Sequence, residues 1–109
     1  MTESLSIPPS FKLSKMEEKL LVYLMGQSKP TKAMMMEALY GDYYVSPEIL
    51  MPDIKIIDVM VCKLRKKLEP FGVVIMTYWG RGYYLTELNK DQVRMHCGME
   101  AAHGSVDAL

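Results

Sequence analysis

Five side chains between residues 55 and 66 are spaced so that they share one face of a helix. At about 100° per residue, three lysines, a valine and a cysteine project together: Lys55, Val59, Cys62, Lys63 and Lys66. Such a face suits the major groove of DNA, because lysine reaches phosphates or guanine edges and small apolar groups meet thymine methyls. A solvated charged face is the alternative, and on an isolated helix it is the more common one.

The charge distribution favours a polyanionic partner, although the net charge of the 109 residues is zero. A zero total by itself argues against nucleic acid binding. Residues 52–86, however, hold six basic residues against three acidic ones. A local basic patch, rather than the total, is what meets a phosphate backbone.

Residues suited to catalysis or metal binding are sparse. His96, Cys97 and His103 supply three candidate ligands without a fourth, which makes a poor zinc motif. Cys62 has no evident partner base. The sequence also lacks a phosphate-cradling glycine loop, a paired-carboxylate pattern and a serine–histidine arrangement. We therefore predict that the chain is not an enzyme and that it binds no cofactor and no metal.

Three helices must position the basic face. Ser14 and Glu17 form a capping-box pattern and predict a first helix over about 15–25. Thr31 starts a second helix, which Gly41 ends. Pro52 suits the start of a third helix, whose apolar stripe runs to residue 68: Ile54, Ile57, Val61, Leu64 and Leu68.

Two β-type runs, 73–78 and 83–85, follow the third helix and predict a hairpin. Its tip would hold Arg81 between two glycines. Trp79 has two interpretations, a binding aromatic or a contact that anchors the hairpin, and the second is more common. Three helices and a hairpin in this order are typical of a winged helix-turn-helix, in which the wing inserts an arginine into the minor groove.

The remaining segments lack strong periodicity. We predict an extended arm over 1–10, a domain over 11–87, and a mobile tail over 88–109 with one short helix near 90–97. The longest apolar stretch, 20–25, is far too short to cross a membrane, and the first residues carry no basic cluster or apolar core of a secretory signal. A cytoplasmic protein with reduced thiols and no membrane contact is expected.

The residues also resemble a known family. The run 55–68, with the Asp58…Leu64-Arg65-x-Lys67 pattern, and the segment Tyr78-Trp79-Gly80-Arg81-Gly82-Tyr83 are similar to the DNA-binding effector domain of OmpR/PhoB-type response regulators. The resemblance covers about 11–87. It implies an α+β fold, a winged helix-turn-helix of three helices plus a C-terminal β-hairpin wing, and the third helix as recognition helix.

The same resemblance implies roles for further residues. Arg65 would lie near a phosphate, and Thr31, Lys32 and Thr77 would touch the DNA backbone. Arg81 would enter the minor groove. Asp58 would be structural, paired with a basic side chain.

Departures from the family pattern shape the functional expectation. Only residues 1–13 stand before the Ser14 cap of the first helix, so we expect no receiver domain and an N-terminal β-platform that is largely missing. The 42–51 loop, which in the family meets RNA polymerase, is longer than expected. We predict a bacterial regulator that binds double-stranded DNA at A·T-rich sites and is nucleoid-associated when bound. It would act as a repressor or as a competitor of a full-length regulator. The alternative is a protein-interaction module that binds RNA polymerase or a related response regulator.

A homodimer is also expected, because the first helix is apolar on nearly every face after Lys19 and lacks the platform that would cover it. Leu21, Val22 and Met25 are predicted at or near the contact. Two copies on half-sites about one helical turn apart would also gain affinity and specificity.

Overall fold

The computed structural model describes residues 7–41 and 53–106, with side chains up to residue 97. Within those ranges the chain forms four helices and one two-stranded sheet: α1 Lys15–Met25, α2 Lys32–Tyr40, α3 Lys55–Leu68, β1 Met76–Tyr78, β2 Gly82–Tyr84 and α4 Glu87–Val106. Short 3-10 helices, Pro9–Phe11 and Glu69–Phe71, precede α1 and follow α3. The predicted α+β winged helix-turn-helix is confirmed.

The first two helices begin where their capping residues predict. The Ser14 Oγ accepts a hydrogen bond from the Glu17 amide at 3.2 Å, and the Glu17 carboxylate accepts one from the Ser14 amide at 2.8 Å. The Thr31 hydroxyl accepts from the Met34 amide at 3.2 Å at the start of α2. Each cap satisfies amides that the first helical turn leaves unpaired, and such a cap is worth about 1 kcal/mol.

The core gathers apolar side chains from every helix. Leu21 and Leu24 of α1 are fully buried, and the same cluster includes Phe11 from the first 3-10 helix and Val93 from α4. Met25 is also buried. Leu21 and Met25 therefore cannot form the dimer contact that we expected of them, because their own chain covers them. Val22 is half-buried and is the one of the three that stays available for a contact, so a homodimer stays a prediction.

The apolar stripe of α3 is confirmed from Ile57 onward. Ile57, Val61, Leu64 and Leu68 are fully buried. Ile54 is 43% exposed, because it precedes the first helical residue, Lys55. The predicted start at Pro52 lies outside the described residues.

The wing strands are shorter than the predicted β-type runs. They pair antiparallel, with Thr77 opposite Tyr83. Residues 73–75 form no strand because their backbone groups bond elsewhere: the Val74 amide donates to the Asn89 side chain at 2.8 Å, and the Ile75 carbonyl accepts from Arg65. The wing is therefore a hairpin with three residues in each strand, and the bonds of residues 73–75 attach it to α3 and α4.

The last helix, α4, differs from the expected mobile tail with a short helix near 90–97. It spans Glu87–Val106, and its first half closes over the core, since Val93 is fully buried. The Lys90 ammonium donates to the Gln27 carbonyl at 2.7 Å. The Thr86 hydroxyl accepts a hydrogen bond from the Asn89 backbone amide at 3.2 Å and another from the Asn89 side chain at 2.8 Å. Thr86 thus caps the start of α4, a signal that sequence analysis overlooked.

No helix in the described ranges is long and apolar enough to span a membrane.

Candidate nucleic-acid interface

The outer face of α3 carries the five side chains that its helical spacing placed together. All of them are exposed: Lys55, Val59, Cys62, Lys63 and Lys66. Val59 is 47% exposed although it is apolar, so it offers a contact surface for a partner. The opposite side of α3 packs into the core, which fixes the direction in which this face points. The structure thus presents a continuous basic face with two small uncharged side chains in it.

Arg65 faces the wing rather than this basic face. Its guanidinium donates to the Ile75 carbonyl through Nε at 3.1 Å and Nη2 at 2.7 Å, and Nη2 also donates to the Thr77 hydroxyl at 2.8 Å. These bonds tie β1 to α3 and make Arg65 and Thr77 partners of each other. The structure therefore gives Arg65 a positioning role, and the phosphate contact expected of it stays a prediction.

A second polar network joins α3, α2 and the wing at Asp58. The Lys32 ammonium lies 2.9 Å from the Asp58 carboxylate, and the Tyr83 hydroxyl donates to the same oxygen at 2.5 Å. The predicted pairing of Asp58 with a basic side chain is confirmed, and its structural role stays a prediction. The hydrogen bonds from Tyr83 and Lys32 lower the pKa of Asp58. Burial and the Asp58 carboxylate raise the pKa of Tyr83 to about 12.

Removing the Tyr83 hydroxyl should lower stability at neutral pH and should also remove a loss of stability that the wild type shows in the alkaline range. A raised folded-state pKa stabilises the protein fully below the unfolded value, about 10, and this contribution is lost as pH rises through about 12. Tyr83→Phe should therefore lower the free energy of unfolding by about 1–3 kcal/mol at neutral pH, with a gap that narrows between these two values. Urea unfolding across a pH series measures it. A gap that is constant with pH would contradict the network.

The wing tip is attached to the start of α2 by its backbone. The Lys32 amide donates to the Arg81 carbonyl at 2.9 Å, and Thr31 pairs with Gly82 as an isolated β-bridge. A Cβ at Gly82 would lie 2.3 Å from the Pro30 carbonyl oxygen, so only glycine fits this close approach. The predicted backbone-contacting residues Thr31 and Lys32 therefore lie beside the wing arginine, across a groove between α2 and the turn.

Lys29 is a basic side chain near the wing that sequence analysis missed. Its ammonium lies 5.3 Å from the ring centroid of Tyr78 and 5.1 Å from that of Tyr84. The Arg81 guanidinium lies 5.8 Å from the Tyr78 ring. Cation–π contacts of this kind bring both cations to the ring of Tyr78. The sequence signal was the lysine immediately before the Pro30-Thr31 helix start, together with aromatic residues on both strands.

Trp79 does not anchor the wing, which corrects the expectation for it. Its side chain is 86% exposed at the hairpin turn. The anchoring contacts come instead from Gly82, Arg65 and Tyr83. A large aromatic ring is thereby left in solvent on the same turn as Arg81.

The residues considered for a metal site have other contacts. His96 lies with its Nε2 3.1 Å from the Phe71 carbonyl oxygen and packs edge-on against the Phe71 ring. Burial raises the pKa of the Cys97 thiol. The side chain of His103 lies outside the described part of the structure. Among the described residues, no three His, Cys, Asp or Glu side chains are grouped so as to hold a metal ion.

Comparisons with known proteins agree with this geometry. Residues 9–85 match the family model described as transcriptional regulatory protein, C terminal. The cell cycle response regulator CtrA of Brucella ovis is 47% identical over 60 residues, which cover 52% of this chain and 23% of CtrA, and CtrA of Brucella anthropi gives the same figures. The matched segment thus spans about a quarter of these relatives. The resemblance of this chain to the CtrA effector region is thereby confirmed.

Proposed function

The chain belongs to the family of transcriptional regulatory protein C-terminal domains, the OmpR/PhoB-type DNA-binding domains, and we propose that it binds specific double-stranded DNA sites through α3 and the wing. The observation that carries the proposal is the exposed basic face of α3 beside an anchored wing with an exposed arginine. A helix of this kind fits the major groove, and a wing reaches the adjacent minor groove.

The exposed side chains of α3 divide by chemistry. Lys63 and Lys66 would contact phosphates, which fix the position of the protein without reading sequence, and Lys55 would contact a phosphate or a guanine edge. Val59 and Cys62 would meet thymine methyl groups, which mark A·T pairs in the major groove. Positioning and base reading would therefore come from different residues of one helix.

Four residues around the wing complete the proposed interface. Thr31 lies at the start of α2, where helix amides favour a phosphate. Lys32 is paired with Asp58, and Arg65 is bonded to Ile75 and Thr77. Lys32, Arg65 and Thr77 would therefore contact DNA only through polar atoms that do not take part in these bonds. Their main contribution would be to hold the wing at a fixed distance from α3.

The proposed regulatory role is that of a repressor or competitor. The 47% identity to CtrA over 60 residues supports binding to similar A·T-rich sites, where the chain would repress directly or compete with a full-length regulator. The proposal also includes a cytoplasmic location at the bacterial nucleoid, a homodimer on paired half-sites, and an RNA polymerase contact through the 42–51 loop. That loop lies outside the described residues.

Removing the wing arginine side chain should weaken DNA binding without unfolding the protein. Arg81 is exposed, and its link to Lys32 uses the backbone carbonyl, which alanine keeps. Arg81→Ala should lose affinity on the order of tenfold on A·T-rich flanks, whose narrow minor groove has an enhanced negative potential. Fluorescence anisotropy with labelled duplexes measures this loss.

Arg94→Ala is the matched control, because it removes the same charge from α4, where Arg94 pairs with Asp91. The control should bind like the wild type. Equal losses in both variants would show that overall charge matters and that the wing does not enter a groove.

A gel-shift experiment tests the function itself. The wild-type chain should shift an A·T-rich operator duplex in the presence of excess unrelated duplex. A chain that shifts no DNA, yet binds RNA polymerase or a full-length response regulator, would instead support the protein-interaction alternative.

A further inference from the structure

The turn that carries Trp79 is built rigidly. The Arg81 amide donates to the Tyr78 carbonyl at 2.8 Å, which closes a β-turn over residues 78–81. Gly80 occupies the third position of this turn, which needs a positive φ, and its φ is +76°. Directly after the turn, Gly82 is pressed against Pro30. The wing tip is therefore held at its base, and Trp79 occupies its outer end.

A single exposed apolar side chain needs no explanation on its own. Trp79 differs because of what surrounds it. The Arg81 side chain is exposed two residues later, and the Lys29 ammonium lies over the wing tyrosines. Trp79 directly follows Tyr78, whose ring both cations contact. An exposed indole on such an anchored turn is suited to a negatively charged partner with apolar surfaces of its own.

We infer that Trp79 is a sequence-reading contact in the minor groove, which prefers A·T pairs over G·C pairs. This inference rests on the proposed function. The minor groove offers two features that match an indole. Its walls are deoxyribose, whose C–H surfaces can pack against a flat ring, and its floor at A·T pairs presents only hydrogen-bond acceptors.

The indole chemistry selects between base pairs. The Nε1–H of tryptophan is a donor and never an acceptor, so it can donate to the O2 of thymine or the N3 of adenine. At a G·C pair the guanine N2 amino group is also a donor, and it would meet the indole N–H unfavourably. Arg81 would respond to groove potential, whereas Trp79 would respond to this hydrogen-bonding pattern.

The test compares duplexes that differ only at the pairs next to the wing: A·T, G·C, or inosine·cytosine. Inosine keeps the major-groove edge of guanine but lacks its N2 amino group, so a minor-groove reader treats the pair as A·T. The wild type should bind the A·T and inosine duplexes about fivefold more tightly than the G·C duplex, as expected for one hydrogen bond.

Two variants separate the ring from its donor. Trp79→Phe keeps an aromatic ring but has no N–H, so it should lose most of the fivefold preference while keeping affinity for the G·C duplex. Trp79→Ala should lose the preference and also bind every duplex more weakly. Leu88→Ala is the control, because Leu88 is 79% exposed on α4 and should affect neither quantity.

Intrinsic fluorescence gives a second readout, since Trp79 is the only tryptophan in the sequence. Binding of A·T duplex should shift its emission to the blue and protect it from acrylamide. If labelled DNA binds but the emission does not change, or if Trp79→Phe retains the preference, the inference is overturned while the proposed function stands. If the wild type binds no duplex, the proposed function fails first.

Discussion

Gly82→Ala is expected to damage both stability and DNA binding more than any other substitution in the wing. The added Cβ would lie 2.3 Å from the Pro30 carbonyl oxygen and 3.1 Å from the Thr31 Cα. Both are backbone atoms that cannot rotate away, so the wing must separate from α2. Overpacking of this kind costs about 1–3 kcal/mol. The loss of DNA affinity should exceed that of Arg81→Ala, because the whole tip moves.

Gly80→Ala is the matched control in the same turn. Its φ of +76° imposes a conformational cost of about 1 kcal/mol on alanine, but beyond the two neighbouring residues no atom lies within 4 Å of the added Cβ. The wing should therefore stay in place, and DNA affinity should change little. Thermal unfolding and anisotropy measure the two effects. A Gly82→Ala protein that matches Gly80→Ala in both would contradict the close approach of the wing to α2.

The double substitution of Lys63 and Lys66 by alanine should cause the largest loss of DNA affinity. Both are exposed on the α3 face, and neither shares the ion pairs that occupy Lys32 and Lys67. Each lysine that neutralises a phosphate releases counterions, so the salt slope should fall by about one unit per substitution. For the pair we expect weakening on the order of a hundredfold at low salt, for all sequences alike.

Lys15→Ala supplies the control for the single substitutions. It removes the same charge from an exposed position on α1, outside the proposed interface. The dependence of DNA affinity on salt concentration should be the same for this control as for the wild type, within error. Slopes that fall equally for Lys15, Lys63 and Lys66 would show that the α3 face holds no phosphates. The single variants should also leave base preference unchanged, since phosphate contacts do not read sequence.

Local signals in the sequence predicted much of the fold. Ser14, Glu17 and Thr31 are capping residues whose hydrogen bonds depend only on residues three positions away, so α1 and α2 begin where predicted. The α3 face was also predictable, because helical periodicity separates buried Ile57 from exposed Val59.

Contacts between distant segments were harder to predict. Arg65 bonds to residues ten and twelve positions later, and no local pattern shows that its guanidinium turns toward β1. Trp79 was misplaced for the same reason, since Gly82 and Pro30 provide the anchor. The first half of α4 is polar enough to suggest a tail, and only the buried Val93 and the Lys90–Gln27 bond reveal that it packs on the core.

Binding of the wild-type chain to an A·T-rich duplex over a range of salt concentrations tests the central claim most directly. DNA recognition by the α3 face and the wing requires saturable binding, with an affinity that falls linearly in log–log form as salt rises from about 50 to about 200 mM. At the upper end of this range, the operator duplex should still outcompete an unrelated duplex. Absence of saturable binding at the lower salt, or an affinity that is independent of salt, would contradict DNA binding by this chain.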